Sequence, residues 1–208
     1  APLAQQRGHF KVVETGWLKL DTILAPRATK STFDRPQILL ASTFTPRLSG
    51  AEALLPEIKR LSQNNEWQWL ITLHPKMDPT IKERYKALEN ENLSYFETNQ
   101  VVQLLHRADV MVSDNSSILQ EFLLLKKPVV TYRNRNPKPF LIDIREPAQL
   151  ENAIHHALQP DNELLQAIEQ YGPSITPWLD GASAGRIMDA AEQMLAEGWG
   201  NSKPRNLW

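Results

Sequence analysis

No cysteine occurs in the 208 residues of this chain. Disulfides, thiolate nucleophiles and Cys-ligated zinc are therefore excluded, and the absence fits a reducing compartment. Charge of one sign is not in excess either: 23 Lys and Arg stand against 24 Asp and Glu, a net charge of -1. That balance builds no nucleic-acid-binding face. No apolar run approaches the roughly 18–20 residues of a membrane span, and Ala1 to Phe10 lacks the apolar core of a signal peptide. P-loop, G-x-G-x-x-G, G-x-S-x-G and H-E-x-x-H patterns are missing as well. NTPase, dinucleotide oxidoreductase, hydrolase-elbow and zincin chemistries thus lack their residues. The expectation is a cytoplasmic protein with no resident metal or cofactor. Its length suits one domain with a real core, and a first residue Ala1 rather than Met reads as a processed or excised piece.

What is present centres on Val110-Met111-Val112-Ser113-Asp114-Asn115-Ser116-Ser117, then Glu121, then Lys127-Pro128-Val129-Val130-Thr131-Tyr132. An apolar run breaks into small polar residues, a helix begins, and a second apolar run follows. This predicts a βαβ unit whose polar turn lies at the strand's carboxyl end, where ligands bind in open α/β sheets. Ser116 and Ser117 open the helix, so hydroxyls and free amides face a point suited to phosphate. Glu121 lies about one turn further on the same face, placed to accept from a ribose or another diol. The alternative is that Asp114 to Ser117 merely cap the helix.

The same rhythm runs along the chain and predicts a doubly wound parallel sheet of Rossmann-like α/β type. Strands are expected over Gln37–Phe44, Trp67–Leu73, Leu93–Phe96, Asp109–Ser113, Pro128–Tyr132 and Leu141–Ile144. Helices are expected over Ala51–Ser62, Thr80–Glu89, Val101–Arg107, Ser116–Leu125, Pro147–Leu158, Glu163–Tyr171 and Ala182–Glu197. Residues 1–36 read as a connector and the start of the domain, 37–197 as the Rossmann-like domain, and 198–208 as a C-terminal tail.

Candidate ligand positions fall at element ends. Ser42, Thr43 and Arg47 follow the first strand, and His74, in Leu73-His74-Pro75, follows the second. Asp114, Asn115, Ser116, Ser117 and Glu121 follow the fourth, and Ser183 and Arg186 sit where a Gly-rich turn opens the last helix. Strand ends of a doubly wound sheet converge, so these positions point to one ligand. Proline after His74 ends its strand and turns the imidazole off the sheet edge, where it can hold a diphosphate oxygen or assist a leaving phosphate. A histidine satisfied by a backbone carbonyl is the alternative. Arg47 and Arg186 are guanidinium candidates for phosphate, against ordinary surface charge. Arg133, Arg135 and Lys138 form a basic loop, read as solvated, with closure over an anionic ligand as the alternative. The remaining histidines, His9, His106, His155 and His156, offer no metal-ligand spacing with His74.

The set Gly16-Trp17-Leu18-Lys19-Leu20-Asp21, Ser42-Thr43-Phe44, Leu73-His74-Pro75, Ala108 to Ser117, Glu121-Phe122 and Lys127-Pro128-Val129 resembles one family. It is similar to the C-terminal, nucleotide-binding half of the CDP-glycerol glycerophosphotransferases, the teichoic-acid polymerases and primases. Order and spacing agree across about residues 8–190. The resemblance implies half of a two-Rossmann-domain, glycosyltransferase-type fold that binds CDP-glycerol or a similar activated donor. In it His74 contacts the diphosphate, Asp114, Ser116 and Ser117 line the pyrophosphate, and Glu121 takes the ribose. Asn115 stands where that family usually has an aromatic, and its Arg is displaced here to Arg47. The acceptor site and catalytic base belong to a missing N-terminal domain, and peripheral membrane association is implied only through that part. The implied activity is transfer of glycerol phosphate, or a related polyol or sugar phosphate, to a cell-envelope polymer. The sugar-nucleotide 2-epimerase family, with the same architecture in its C-terminal half, is the first alternative. A non-catalytic nucleotide-sensing or partner-docking domain is the second.

Overall fold

Continuous apolar runs set the sheet. Its strands are β1 (Gln37–Ser42), β2 (Gln68–Leu73), β3 (Leu93–Tyr95), β4 (Val110–Ser113), β5 (Val129–Tyr132) and β6 (Leu141–Ile144). β1, β2, β4 and β5 are buried along their whole length, as strands covered on both faces must be. All neighbours pair in parallel, in the order β3-β2-β1-β4-β5-β6. In register, Leu39 of β1 lies between Leu70 of β2 and Met111 of β4. The computed structural model describes residues 11–25 and 34–199. The tail expected from residue 198 lies, from 200 on, outside the described residues, as does the start of the chain.

The chain divides into two units, Pro26–Ser174 and Ala1–Ala25 with Ile175–Trp208. In the first unit, helices alternate with the strands. They are α2 (Ala51–Leu61), α3 (Pro79–Lys86), α4 (Val101–Arg107), α5 (Ile118–Leu124), α6 (Leu150–Leu158) and α7 (Asn162–Ile175), the last running to the unit's edge. The second unit holds α1 (Leu18–Leu24) and α8 (Ser183–Ala196), which pack against each other. Within residues 1–36, then, the Gly16–Asp21 segment leads into a helix with Leu20 and Ile23 buried.

Strand periodicity sorts the core. Ile38 and Leu40 of β1, Trp69 and Ile71 of β2, and Val110 and Val112 of β4 share one cluster with Leu54 and Ile58 of α2, Tyr85 of α3 and Ile154 of α6. Intervening residues such as Leu39 and Met111 face the other side, where α4 and α5 bury Leu104, Leu105, Phe122 and Leu123. Tyr85 is fully buried and donates its hydroxyl to the Ala51 carbonyl at 2.7 Å, joining α3 to the start of α2. Burial pushes its pKa up, so the donor is permanent. At the amino edge, Asp109 receives the Gln37 amide at 2.7 Å and returns its own amide to the Gln37 carbonyl at 2.8 Å, pinning β4 to β1.

α3 begins at Asp78, which accepts from the Thr80 amide at 2.8 Å with Pro79 at the first turn. α4 is closed by a residue remote in sequence. Lys127 donates to the carbonyls of Leu105, His106 and Ala108 at 3.0, 2.6 and 2.6 Å, a cation on the helix's negative end. Among the described residues no helix is long and apolar enough to cross a membrane. Lys127→Met keeps the stem and removes the donors, so unfolding in urea should show a loss of about 1–3 kcal/mol. An unchanged midpoint would mean that those carbonyls are satisfied without the ammonium.

Candidate functional site

The strand order reverses direction between β1 and β4, and that switch point opens a crevice at the sheet's carboxyl edge. Ser113 laces its floor by donating to the Ala41 carbonyl of β1 at 2.7 Å. The next residue, Asp114, is 1% exposed. Its carboxylate accepts from the Ser42 hydroxyl, from the Gly50 amide at 2.9 Å and from the Thr43 amide at 3.1 Å. Ser42 and Ser49 hydroxyls lie 2.9 Å apart. One acid of β4 thus gathers both ends of the β1–α2 loop. Burial raises its pKa, opposed by the bonds from Ser42, Gly50 and Thr43. Gly50 is required by close approach, since a Cβ there would lie 2.9 Å from the Tyr132 ring.

Asn115 continues the same work. Its amide nitrogen donates to the Leu48 carbonyl at 3.2 Å, and its oxygen accepts from the Arg135 amide at 2.9 Å. Asn134 donates to the Asp114 carbonyl at 2.8 Å, and Asp143 of β6 accepts from the Asn134 amide and the Thr131 hydroxyl, both at 2.8 Å. The loops after β1, β4 and β5 form one hydrogen-bonded rim. Neither Asn134 nor Asp143 stood out in the sequence. The only signal for them is an Asn in the polar loop after the βαβ unit and an Asp within the short apolar run that follows it.

Ser116 is partly exposed and Ser117 exposed. Ser117 occupies the N-cap position of α5 and makes no side-chain cap hydrogen bond. Glu121 sits in the first turn of α5 and is 3% exposed. Arg47 stands exposed on the β1–α2 loop. From the basic loop after β5, Arg133 turns away to the Arg145 carbonyl at 2.8 Å and to Glu146 at 3.2 Å.

His74 follows β2, beside the β1 end. Its Nδ1 accepts from the Lys76 amide at 3.1 Å, and its ring lies 4.4 Å from the Phe44 ring. The residue is exposed, and desolvation, then Lys76 and Lys82, hold its pKa below the ordinary value. With Nδ1 occupied as an acceptor, the neutral ring carries its proton on Nε2, a donor rather than a cation at neutral pH.

In the other unit, Ser183 and Arg186 have partners of their own. Asp21 of α1 accepts from the Ser183 and Ala184 amides at 3.0 and 2.7 Å, neutralising the start of α8. Gly16, at φ 93°, comes so near that a Cβ would lie 2.7 Å from the Ser183 hydroxyl. Arg186 pairs with Asp180 and lies 4.8 Å from the Trp178 ring centre. Metal-capable groups among the described residues are Glu66, Glu151 and His155, with ligand atoms within 4.8 Å of one another. They stand before β2 and on α6, at the sheet's amino edge, where Arg60 already holds Glu151 at 2.5 Å.

An all-parallel sheet in this order, with a hydroxyl- and amide-rich rim at its switch point, defines a Rossmann-like α/β domain. The chain belongs to the UDP-N-acetylglucosamine 2-epimerase family, whose model matches residues 7–192. No curated protein matches it. Among solved structures, S. aureus MnaA in a co-structure with UDP is similar over 93% of this chain and 57% of its own, at 18% identity and a TM-score of 0.66. A UDP-N-acetylglucosamine 2-epimerase structure is similar over 95% and 55%, at 18% identity and a TM-score of 0.60. The wall teichoic acid polymerase TagF, soaked with CDPG, is similar over 94% and 47%, at 15% identity and a TM-score of 0.57. This chain therefore spans about half the length of the structures it matches.

Asp114→Asn should lower the unfolding free energy by about 1–3 kcal/mol at pH 7, since one carboxylate oxygen that receives amides and a hydroxyl becomes a donor. The deficit should grow toward acid. The wild-type folded chain takes up its Asp114 proton above the ~3.9 of an unfolded Asp, and the variant cannot. Urea titrations at pH 7 and pH 4 measure it, and a deficit that shrinks at pH 4 would contradict the assignment.

Proposed function

We propose that this chain is the nucleotide-binding half of an enzyme that handles a nucleoside-diphosphate-linked substrate, of the UDP-N-acetylglucosamine class. The observation that carries this is the rim at the β1–β4 switch point. There, hydroxyls unused by any cap stand one helical turn from a buried carboxylate. Ser116, Ser117 and the Thr43 turn take the diphosphate, and the neutral Nε2–H of His74 donates to one of its oxygens. Glu121 accepts from the ribose hydroxyls. Family membership supports a uridine diphosphate sugar and epimerisation at its C2, with the remaining catalytic groups supplied by a second Rossmann-like half.

A second proposal has its own support. The likeness to TagF and the Leu73-His74-Pro75 and Asp114-to-Glu121 elements favour a CDP-glycerol-type donor. On that view the whole protein transfers glycerol phosphate, or a related polyol phosphate, to an envelope polymer at the inner face of the membrane. Both proposals share one donor site and differ in the base.

Calorimetry with UDP, UDP-N-acetylglucosamine, CDP and CDP-glycerol separates them. The expected result is weak, uridine-selective binding without turnover by this chain alone. Cytidine-selective heat would move the assignment to the transferase. No heat with any of them at millimolar concentration would overturn both and leave a docking or sensing domain. Ser116→Ala with Ser117→Ala should cost about 1.5–3 kcal/mol of affinity per lost hydrogen bond to a charged group. Its thermal melt should change by no more than about 1 kcal/mol. Unchanged affinity in that variant would remove the serines from the site.

A further inference from the structure

Phe44 leaves 38% of its surface exposed at a strand end, where an aromatic ring gains little from burial. What it does touch is specific. Its ring centre lies 4.4 Å from that of His74, with the planes tilted by 32°, a close contact at the short limit of aromatic pairing. Lys76, whose backbone amide occupies Nδ1 of His74 at 3.1 Å, places its ammonium 5.8 Å from the Phe44 ring centre. Lys82, the other cation that acts on His74, is turned to the Pro75 carbonyl at 2.6 Å. The backbone that carries the phenyl group is anchored, because the preceding residue, Thr43, gives its amide to Asp114. A continuous line of contacts therefore runs from the turn after β4, through Asp114, Thr43 and Phe44, to the imidazole after β2.

We propose that Phe44 is a positioning residue: its ring holds the His74 imidazole in the orientation that keeps Nδ1 on the Lys76 amide and presents Nε2–H to a phosphate oxygen of the bound nucleotide. This rests on the nucleotide-binding assignment above for its ligand, and on the ring geometry alone for its effect on His74. The division of labour follows from the atoms. Phe44 fixes the ring's direction, and Lys76 supplies both the amide that selects the tautomer and the positive charge beside it. His74 then needs no second proton to bind an anion, and the site keeps its Nε2–H donor across neutral pH.

The test is nitrogen-15 NMR of the imidazoles in the whole chain, with His74 assigned by its loss in His74→Gln, alongside UDP titration. In the wild type, His74 should be the Nε2–H tautomer with a pKa below about 6.5. Phe44→Ala should mix the tautomers, move that pKa up toward 6.5, and weaken UDP binding roughly two- to tenfold, the worth of an aromatic pair. Phe44→Tyr should restore all three. A Phe44→Ala chain that stays folded with tautomer and pKa unchanged overturns the proposal, as does Phe44→Tyr behaving like alanine. A wild-type chain with the expected tautomer dependence but no UDP binding overturns the nucleotide assignment, while the positioning of His74 by Phe44 stands.

Discussion

A single buried carboxylate organises the carboxyl edge of the sheet. Asp114 ends β4, yet its bonds go to Ser42, Thr43 and Gly50, on the loop that leaves β1. At a topological switch point the two flanking loops diverge to opposite faces, so nothing in the strand pairing itself closes the gap between them. The Asp114 carboxylate supplies that closure. A buried acid is costly unless it receives several donors, and here two backbone amides and a hydroxyl converge on it. Asn115 and Asn134 extend the tie to the loop after β5, so the rim is fixed before any ligand arrives. Preorganisation of this kind reduces the ordering cost of binding.

The two edges of the sheet are built for different ends. At the carboxyl edge, exposed or part-exposed polar groups such as Ser116, Ser117 and the Nε2 side of His74 stand on a rigid frame. At the amino edge, polar groups are spent on one another. Asp109 closes on Gln37, Arg60 bridges Glu57 and Glu151, and Lys127 caps α4. Exposed ion pairs of the Arg60 kind contribute little to stability, whereas the partly buried Lys127 answers three carbonyls at once. Pairing at one edge and unspent donors at the other is what gives the domain a direction.

Much of this was legible in the sequence, for a physical reason. Runs such as Ile38 to Ala41 and Val110 to Val112 are apolar at every position because both faces of a central parallel strand are covered, and small polar residues follow where the chain leaves the sheet. The alternation of strands and helices, and with it a polar carboxyl edge, follows from that rhythm, whereas the strand order that places the crevice between β1 and β4 comes only from the fold. Side-chain direction does not. Asp114 and Asn115 look like ligand groups in a polar turn, but their hydrogen bonds run inward to residues about seventy positions away. The same blindness hides Asp21, whose bonds to Ser183 and Ala184 occupy a helix start that resembles an open anion site in sequence. Phe44 reads as the end of an apolar strand, and only the fold brings it to His74. The motifs alone favoured a CDP-glycerol transferase over an epimerase, whereas family membership falls with the epimerases.

On the reading proposed above, a nucleoside diphosphate occupies the β1–β4 switch point. Backbone amide NMR of this chain during a UDP titration tests it most directly. The amides of Thr43, Ser116 and Ser117, with those around His74, should shift first and saturate together, while those of Gln37, Asp109 and Glu151 at the far edge stay in place. Saturable shifts confined to the amino edge, or none on the Thr43 and Ser116 turns, would contradict it.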